Sequence, residues 1–342
     1  MTRFLTLETT CDETAAAIVT DELNVLGSAV ASQDELHQRF QGVVPEIAAR
    51  AHVERILPVI ELALERAETQ LHEVDVIAVA TQPGLAGSLL VGLVAAKTLA
   101  VALGKPLVAV NHLHAHVYAC QIAAGKPIFP CVGFVVSGGH SSLYKCNSPV
   151  EFELLGGTID DAAGEAFDKV ASLLGLPYPG GPAISRVAEQ GNPKAYELPR
   201  TFIHERDRLE FSFSGLKTAV RYKIVGPGKH DFSQVKLEDQ TIADLAASFQ
   251  EAVVDVLVAK ATAAIRKTGL KRLCVGGGVA ANGHFRTRLA ETMKVEDCEL
   301  HIAPFELCTD NAVMGAIAVE RWKAGLVESL DVDITAGLQR PA

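Results

Sequence analysis

Two histidines four residues apart, His112 and His116, lie in the run Asn111-His112-Leu113-His114-Ala115-His116, directly after a short apolar segment. On a helix that spacing puts both imidazoles on one face, where they can grip a single ion, while His114 points elsewhere. The alternative is a structural pair at a helix start. A zinc protease would carry a glutamate beside the first histidine as general base. Leu113 stands there and no acidic residue lies between the histidines, which argues against that chemistry. A third ligand candidate comes from the second half of the chain. There Glu306-Leu307-Cys308-Thr309-Asp310-Asn311 repeats the same strand-to-helix step, and Asp310 takes the place of the histidines. Two imidazoles and one carboxylate with open positions suit Fe(II) or Zn(II). The competing role for Asp310 is a helix N-cap.

Three further loops sit just past apolar strands: Glu8-Thr9-Thr10-Cys11-Asp12-Glu13-Thr14, Val136-Ser137-Gly138-Gly139-His140 and Gly276-Gly277-Gly278-Val279-Ala280-Ala281-Asn282. Glycine lets backbone N–H groups approach an anion closely, and hydroxyls add donors. The third loop also opens a helix, whose N-terminus favours negative charge. Each loop read singly is equally a tight turn. Loops of this kind in both halves, facing one cleft, point to a nucleotide site.

The elements that must hold these residues follow one order used twice. Phe4–Glu8, Ala15–Val19 and Val25–Ala31 read as strands. Pro45–Glu68 is helical, Val74–Ala80 a strand, Ala86–Leu103 a buried helix, and Leu107–Val110 a strand running into a helix from about His112. In the second half Val132–Val136, Ser142–Cys146 and Phe152–Leu155 are strands, followed by helical stretches of which Asp161–Leu174 comes first. Arg272–Val275, Asn282–Met293, Glu299–Ala303 and Asp310–Trp322 then alternate strand and helix. The duplication predicts two α/β lobes, residues 1–128 and 129–342, with a helical and irregular insertion around 175–243 on the second. Paired lobes with phosphate-binding turns resemble the actin, sugar-kinase and heat-shock ATPase superfamily.

The 342 residues suit two domains, and 49% apolar residues suffice for a sizeable core. The seven cysteines (Cys11, Cys120, Cys131, Cys146, Cys274, Cys298 and Cys308) form no C-x-x-C pair. That favours a reducing cytoplasm over a disulfide frame. The start of the chain reads directly into a strand, without the pattern of a leader peptide. A formal net charge of −10 argues against a general nucleic-acid binder. The charge is uneven, however. Between Pro193 and Asp231 eight basic residues (Lys194, Arg200, Arg206, Arg208, Lys217, Arg221, Lys223 and Lys229) face five acidic ones, leaving +3. This is either a solvated surface or a local contact for an RNA backbone, with Lys217 and Arg221 its candidates. Aromatic residues are only 6% of the chain and Trp322 is the sole tryptophan, which disfavours a stacking platform for single strands.

An ordered set of motifs runs from about residue 4 to 325. It holds Glu8–Thr14; Gly42-Val43-Val44-Pro45-Glu46 with Arg50 and His52; Pro83-Gly84-Leu85; Gly87–Gly92; and the His112/His116 pair. It continues with Val136–His140, Asp160–Lys169, Tyr178–Pro182, Phe211–Thr218, Gly276–Asn282 and Cys308–Asn311. In that order these motifs resemble the bacterial tRNA N6-adenosine threonylcarbamoyltransferases. The resemblance implies one divalent metal per chain, iron(II) or else zinc, on His112, His116 and Asp310. It implies an adenylate bound by Val135, Val136, Ser137, Gly138, Gly139, Asp168, Gly181 and Asn282, with Asp12 near the reacting group. The implied reaction moves a threonylcarbamoyl group from threonylcarbamoyl-AMP to N6 of adenosine 37 in tRNAs that read codons beginning with A, releasing AMP. Implied partners are the family's dimerising paralogue (TsaB) and a small ATPase (TsaE). The family often has H-x-E-G-H where this chain reads Leu113-His114-Ala115 between the outer histidines. Gln41 and Gln82 replace common glycines.

Two other classes of function remain open at this point. A small-molecule kinase on the same fold would explain the phosphate loops but not the histidine pair. A scaffold paralogue would not be expected to keep all three metal ligands.

Overall fold

The computed structural model describes residues 1–226 and 237–337. The strands are β1 (Arg3–Glu8), β2 (Glu13–Thr20), β3 (Val25–Ser32), β4 (Val76–Gln82), β5 (Leu107–Asn111), β6 (Cys131–Val136), β7 (Ser141–Ser148), β8 (Glu151–Gly157), β9 (Arg272–Gly276) and β10 (Glu299–Ile302). The α-helices are α1 (Asp34–His37), α2 (Pro45–Arg66), α3 (Ala86–Leu103), α4 (His112–Ala124), α5 (Ala163–Leu173), α6 (Gly180–Ala188), α7 (Ser214–Val225), α8 (Asp239–Thr268), α9 (Gly283–Val295), α10 (Phe305–Cys308) and α11 (Ile317–Lys323).

Two five-stranded sheets result, ordered β3-β2-β1-β4-β5 and β10-β9-β6-β7-β8. Numbered within its own half, each sheet has the order 3-2-1-4-5, so the duplication read in the sequence is a duplication of topology. β1 pairs antiparallel with β2 and parallel with β4, and β4 pairs parallel with β5. In the second sheet β6–β9 and β9–β10 are parallel. The parallel core strands are buried along nearly their whole length, as expected for strands covered on both faces.

The chain divides into two compact units. The first holds Met1–Phe129, Cys146–Phe152 and the described part of the segment that begins at Ala303; the second holds Pro130–Lys145 and Glu153–Ile302. This corrects the expectation that everything from residue 129 belongs to one lobe. The reason is packing by α10, α11 and the single turn between them. Thr6 Oγ1 in β1 donates to the Ala312 carbonyl at 2.6 Å, Trp322 meets Phe4 edge-on at 5.7 Å between centroids, and Tyr118 donates to Glu320 at 2.8 Å. An edge-on aromatic pair adds about 0.5–1.5 kcal/mol beyond its burial. The last helical segment therefore completes the first unit. The helix expected over Asp310–Trp322 is a 3-10 turn, Val313–Ala316, running into α11.

In the first unit α2 and α3 cover the sheet, and Ile56, Val59, Ile60, Leu93 and Ala96 pack on Leu5, Ile18, Ile77 and Val79. α3 was expected to be buried, but only a third of it is. It is long and apolar enough to cross a membrane, yet it turns one face into this core and exposes Leu90, Val94 and Val101 on the other. In the second unit Phe134 of β6 stacks on Phe211 and meets Phe285 edge-on, and Phe167 meets Phe249 edge-on at 5.1 Å. Lys260, 1% exposed on α8, donates to the carbonyls of Phe202, Glu205 and Arg208 at 2.6–3.0 Å. The ammonium thereby ties the irregular segment before α7 onto α8. Three carbonyls offset the cost of burying the charge.

Candidate metal centre

β5 ends at Asn111, whose side-chain oxygen accepts from the N–H groups of Leu113 (2.9 Å) and His114 (3.2 Å). That N-cap starts α4 at His112 and puts His116 one turn on, on the same face. Both are buried, their rings 4.6 Å apart and 78° inclined. His114 leaves this face and stacks flat on Phe152 at 3.9 Å.

Asp310 lies in the first unit with the histidines. It caps no helix; the neighbouring Asn311 accepts from the Met314 N–H at 3.1 Å in the turn that follows. The Asp310 carboxylate faces the imidazoles instead. Its Oδ1 lies 3.1 Å from His116 Nε2 and 3.5 Å from His112 Nε2. Bonds of about 2.0–2.1 Å in octahedral or tetrahedral geometry separate adjacent donors by roughly 2.8–3.4 Å. The two distances from Asp310 thus stand close to the spacing a small divalent ion imposes. All three lie within 4.8 Å of one another.

The electrostatics fit a cation. Burial pulls His112 down, but Asp310 and Glu8 outweigh it and raise its pKa to about 9. His116, buried and beside His112, is pushed below the usual value. Asp12, expected near the reacting group, is buried and raised first by burial and then by the Asp310 charge. Glu13 is raised well above its usual range by burial and by Asp12. Asp12, Glu13 and Asp34 converge as a second acidic group. Burial and the charge of Asp12 also push the Cys11 thiol well up, so a thiolate nucleophile is disfavoured there.

The residues expected around an adenylate lie in the second unit. Ser137 N–H donates to the His140 carbonyl at 2.8 Å, closing the turn after β6. The carbonyls of Ser137 and Gly138 accept from Gly164 and Glu165, so this turn seats the start of α5. A side chain on Gly164 would meet the Ser137 carbonyl at 2.6 Å, which explains the glycine. Val135 and Val136 are buried in β6, whereas Gly138, Gly139 and Gly181 have open space where a Cβ would be. Asp168 accepts from Gly180 N–H at 2.7 Å, linking α5 to the start of α6. Asn282 caps α9 by accepting from Phe285 N–H at 2.9 Å, and its amide donates to Ser185 and Gln250. Its side chain is committed locally, so the N–H groups that open α9 are the better anion donors there. Lys217 and Arg221 share α7, whose first turn is held by Asp160 through Ser212, Phe213 and Ser214. Lys229 and Asp231 of the basic segment lie outside the described residues.

Sequence reasoning did not single out Glu8 and Thr10 as parts of the centre. Glu8 Oε2 is 3.0 Å and Thr10 Oγ1 3.2 Å from His112 Nδ1. The available signal was position: Glu8 ends β1 and Thr10 lies just past it, and β1 is two strands from β5 in the same sheet.

Two α/β units of one topology, one of them carrying a His-His-Asp set, define the actin, sugar-kinase and heat-shock ATPase class of fold with a candidate metal centre. HypF of T. kodakarensis shares this fold at TM-score 0.61 and 15% identity, over 95% of this chain and 48% of that one. Component A of the (R)-2-hydroxyglutaryl-CoA dehydratase of Acidaminococcus fermentans does so at 0.53 and 14%, over 95% and 100%. The family model for tRNA N6-adenosine threonylcarbamoyltransferase matches residues 24–317. Relatives of that name are 57% identical in Rhodopirellula baltica, over 98% of this chain and 97% of theirs, and 50% identical in Anaeromyxobacter dehalogenans, over 93% of each. The chain belongs to this family, and the activity is that of a transferase in tRNA threonylcarbamoyladenosine modification.

Proposed function

We propose that the chain transfers the threonylcarbamoyl group from threonylcarbamoyl-AMP to N6 of adenosine 37 in tRNAs reading codons that begin with A, and releases AMP. The observation that carries this reading is the convergence of His112 Nε2, His116 Nε2 and Asp310 Oδ1 in a chain of this family. These three residues would hold one divalent ion. Iron(II) is the first choice and zinc(II) the alternative, since both accept imidazole and carboxylate. When bound, the ion supplies Lewis-acid stabilisation of oxygens on the phosphate or carbonyl of the donor. Val135 to Gly139, Asp168, Gly181 and Asn282 would bind the adenylate, with turn N–H groups stabilising charge on departing AMP. The amine of adenine is a weak nucleophile, so positioning carries much of the rate. Asp12 would orient or deprotonate it. Lys217 and Arg221 would touch the tRNA backbone.

Partners in this reading are the dimerising paralogue and the small ATPase, in the cytoplasm. Exposed apolar side chains on α2 (Val53, Leu57) and α3 (Leu90, Val94, Val101) support a protein partner on those helices. The sugar-kinase alternative leaves the His-His-Asp set without a purpose.

The test is mass spectrometry of tRNA after incubation with threonine, bicarbonate, ATP and the companion adenylate-forming enzyme. Protein purified without chelator should carry one iron or zinc and modify the tRNA. A folded His112→Ala variant should do neither, and full modification by it would refute the assignment.

A further inference from the structure

We propose that Glu8 is a positioning residue of the metal centre, fixing His112 with its proton on Nδ1 so that Nε2 presents its lone pair to the ion. This rests on the metal reading given above and extends it to a residue outside the ligand set.

Glu8 is only 3% exposed, at the end of a strand paired on both sides, where it stands opposite Ala15 in β2. Both carboxylate oxygens are engaged. Oε1 accepts from Thr10 N–H at 2.7 Å, and Oε2 lies 3.0 Å from His112 Nδ1. A carboxylate only accepts, so this contact requires the proton on Nδ1. The Thr10 hydroxyl, 3.2 Å away, shares that proton as a second acceptor. With Nδ1 protonated, a neutral His112 has its lone pair on Nε2, the atom that faces Asp310. Burying a carboxylate is expensive, and packing alone would be served by an uncharged side chain.

His116 provides the internal control. Its Nε2 faces the same Asp310 oxygen, yet its Nδ1 is buried without a partner among the described residues. The two ligands are thus unequally held, and the one with a carboxylate behind it is predicted to set the affinity. Carboxylates behind metal-bound histidines commonly contribute 10- to 100-fold in affinity.

The experiment is zinc titration of chelator-stripped protein, wild type against Glu8→Gln, Glu8→Ala and His112→Ala, with melting temperatures of the metal-free proteins. Wild type should bind one equivalent and His112→Ala should lose it. Glu8→Ala should still bind one equivalent, with Kd raised about 10- to 100-fold. Glu8→Gln, which keeps an acceptor oxygen, should fall between the two. In long-range proton–nitrogen spectra of the zinc-loaded protein, Glu8→Ala should broaden the His112 Nδ1–H signal by exchange. If the Ala variant does not fold, Glu8→Met fills the space without an acceptor and stands in for it. A Kd within twofold across wild type, Gln and Ala (or Met) overturns this inference alone. Failure of wild type to bind zinc, or equal binding by His112→Ala, overturns the metal reading itself.

Discussion

The turns that leave the first strand of each sheet occupy the same place in the same topology and carry opposite chemistry. β1 runs into Glu8-Thr9-Thr10-Cys11-Asp12-Glu13, with three carboxylates in six residues, two of them held above their usual pKa. β6 runs into Ser137-Gly138-Gly139-His140, with none. A strand end fixes where a turn emerges, while the side chains decide which sign of charge it tolerates. The first unit gathers acidic oxygens and imidazoles, which in the proposed reading take a cation. The second keeps its turn small and free of carboxylates, which in that reading suits an anion.

The comparison breaks first at the ligands. His112→Ala should lower tRNA modification at least about 1000-fold, the scale of several kcal/mol expected for losing a Lewis acid. It should leave nucleotide binding by the second unit unchanged, checked by titration with an adenylate analogue. Loss of that binding too would deny the division of labour. The converse variant is Gly277→Val. Gly277 has φ +96°, and a Cβ there would lie 2.4 Å from the Val136 carbonyl. A cost of about 3 kcal/mol is expected, seen as a lower melting temperature and weakened nucleotide binding with zinc stoichiometry intact.

Helix α4 sharpens the contrast at smaller scale. Burial, with Arg321 nearby, pulls His114 down to about 3. Its folded pKa is thus below the unfolded value near 6.5, so its unfolded form takes up protons first. Its contribution is fully present above pH 6.5 and is lost as pH falls from 6.5 towards 3. At pH 5 that amounts to about 2 kcal/mol. His114→Phe should therefore reduce the drop in melting temperature between pH 7.5 and pH 5. An unchanged drop would show that His114 is not the group responsible.

Lys217→Glu combined with Arg221→Glu should weaken tRNA binding about tenfold and lower the salt slope by about two. Filter binding across a salt series measures both, and an unchanged slope removes α7 as a contact. The smallest effect is at Asp12. Its folded pKa is raised, so without metal its charge destabilises the protein as pH rises above the unfolded carboxylate value. Asp12→Asn should raise the melting temperature of chelated protein at pH 8 by a few degrees and have little effect near pH 4.

Much of the fold was legible because apolar periodicity reports burial directly. Ala86–Leu103 coincides with α3 to the residue, and the element order read twice along the chain recurs in both halves, while the strand order within each sheet came from the structure. The outer exposure of α3 was not legible, because its stripe of leucine and valine continues round to the solvent side. For the candidate site, the spacing of His112 and His116 was local information and could be read. The roles of Glu8 and Thr10 depend on contacts with a helix start about 100 positions away, and no local pattern reports those.

The sequence by itself determined two copies of one α/β pattern and a histidine pair on one helical face. These follow from neighbours within a few residues, where backbone geometry alone decides. Only the tertiary structure decided that residues after Ala303 return to the first unit and bring the Asp310 carboxylate to those histidines in the same unit. The reason is that a chain crossing between units obeys burial and hydrogen bonding with residues some 300 positions away, as at Thr6 and Ala312.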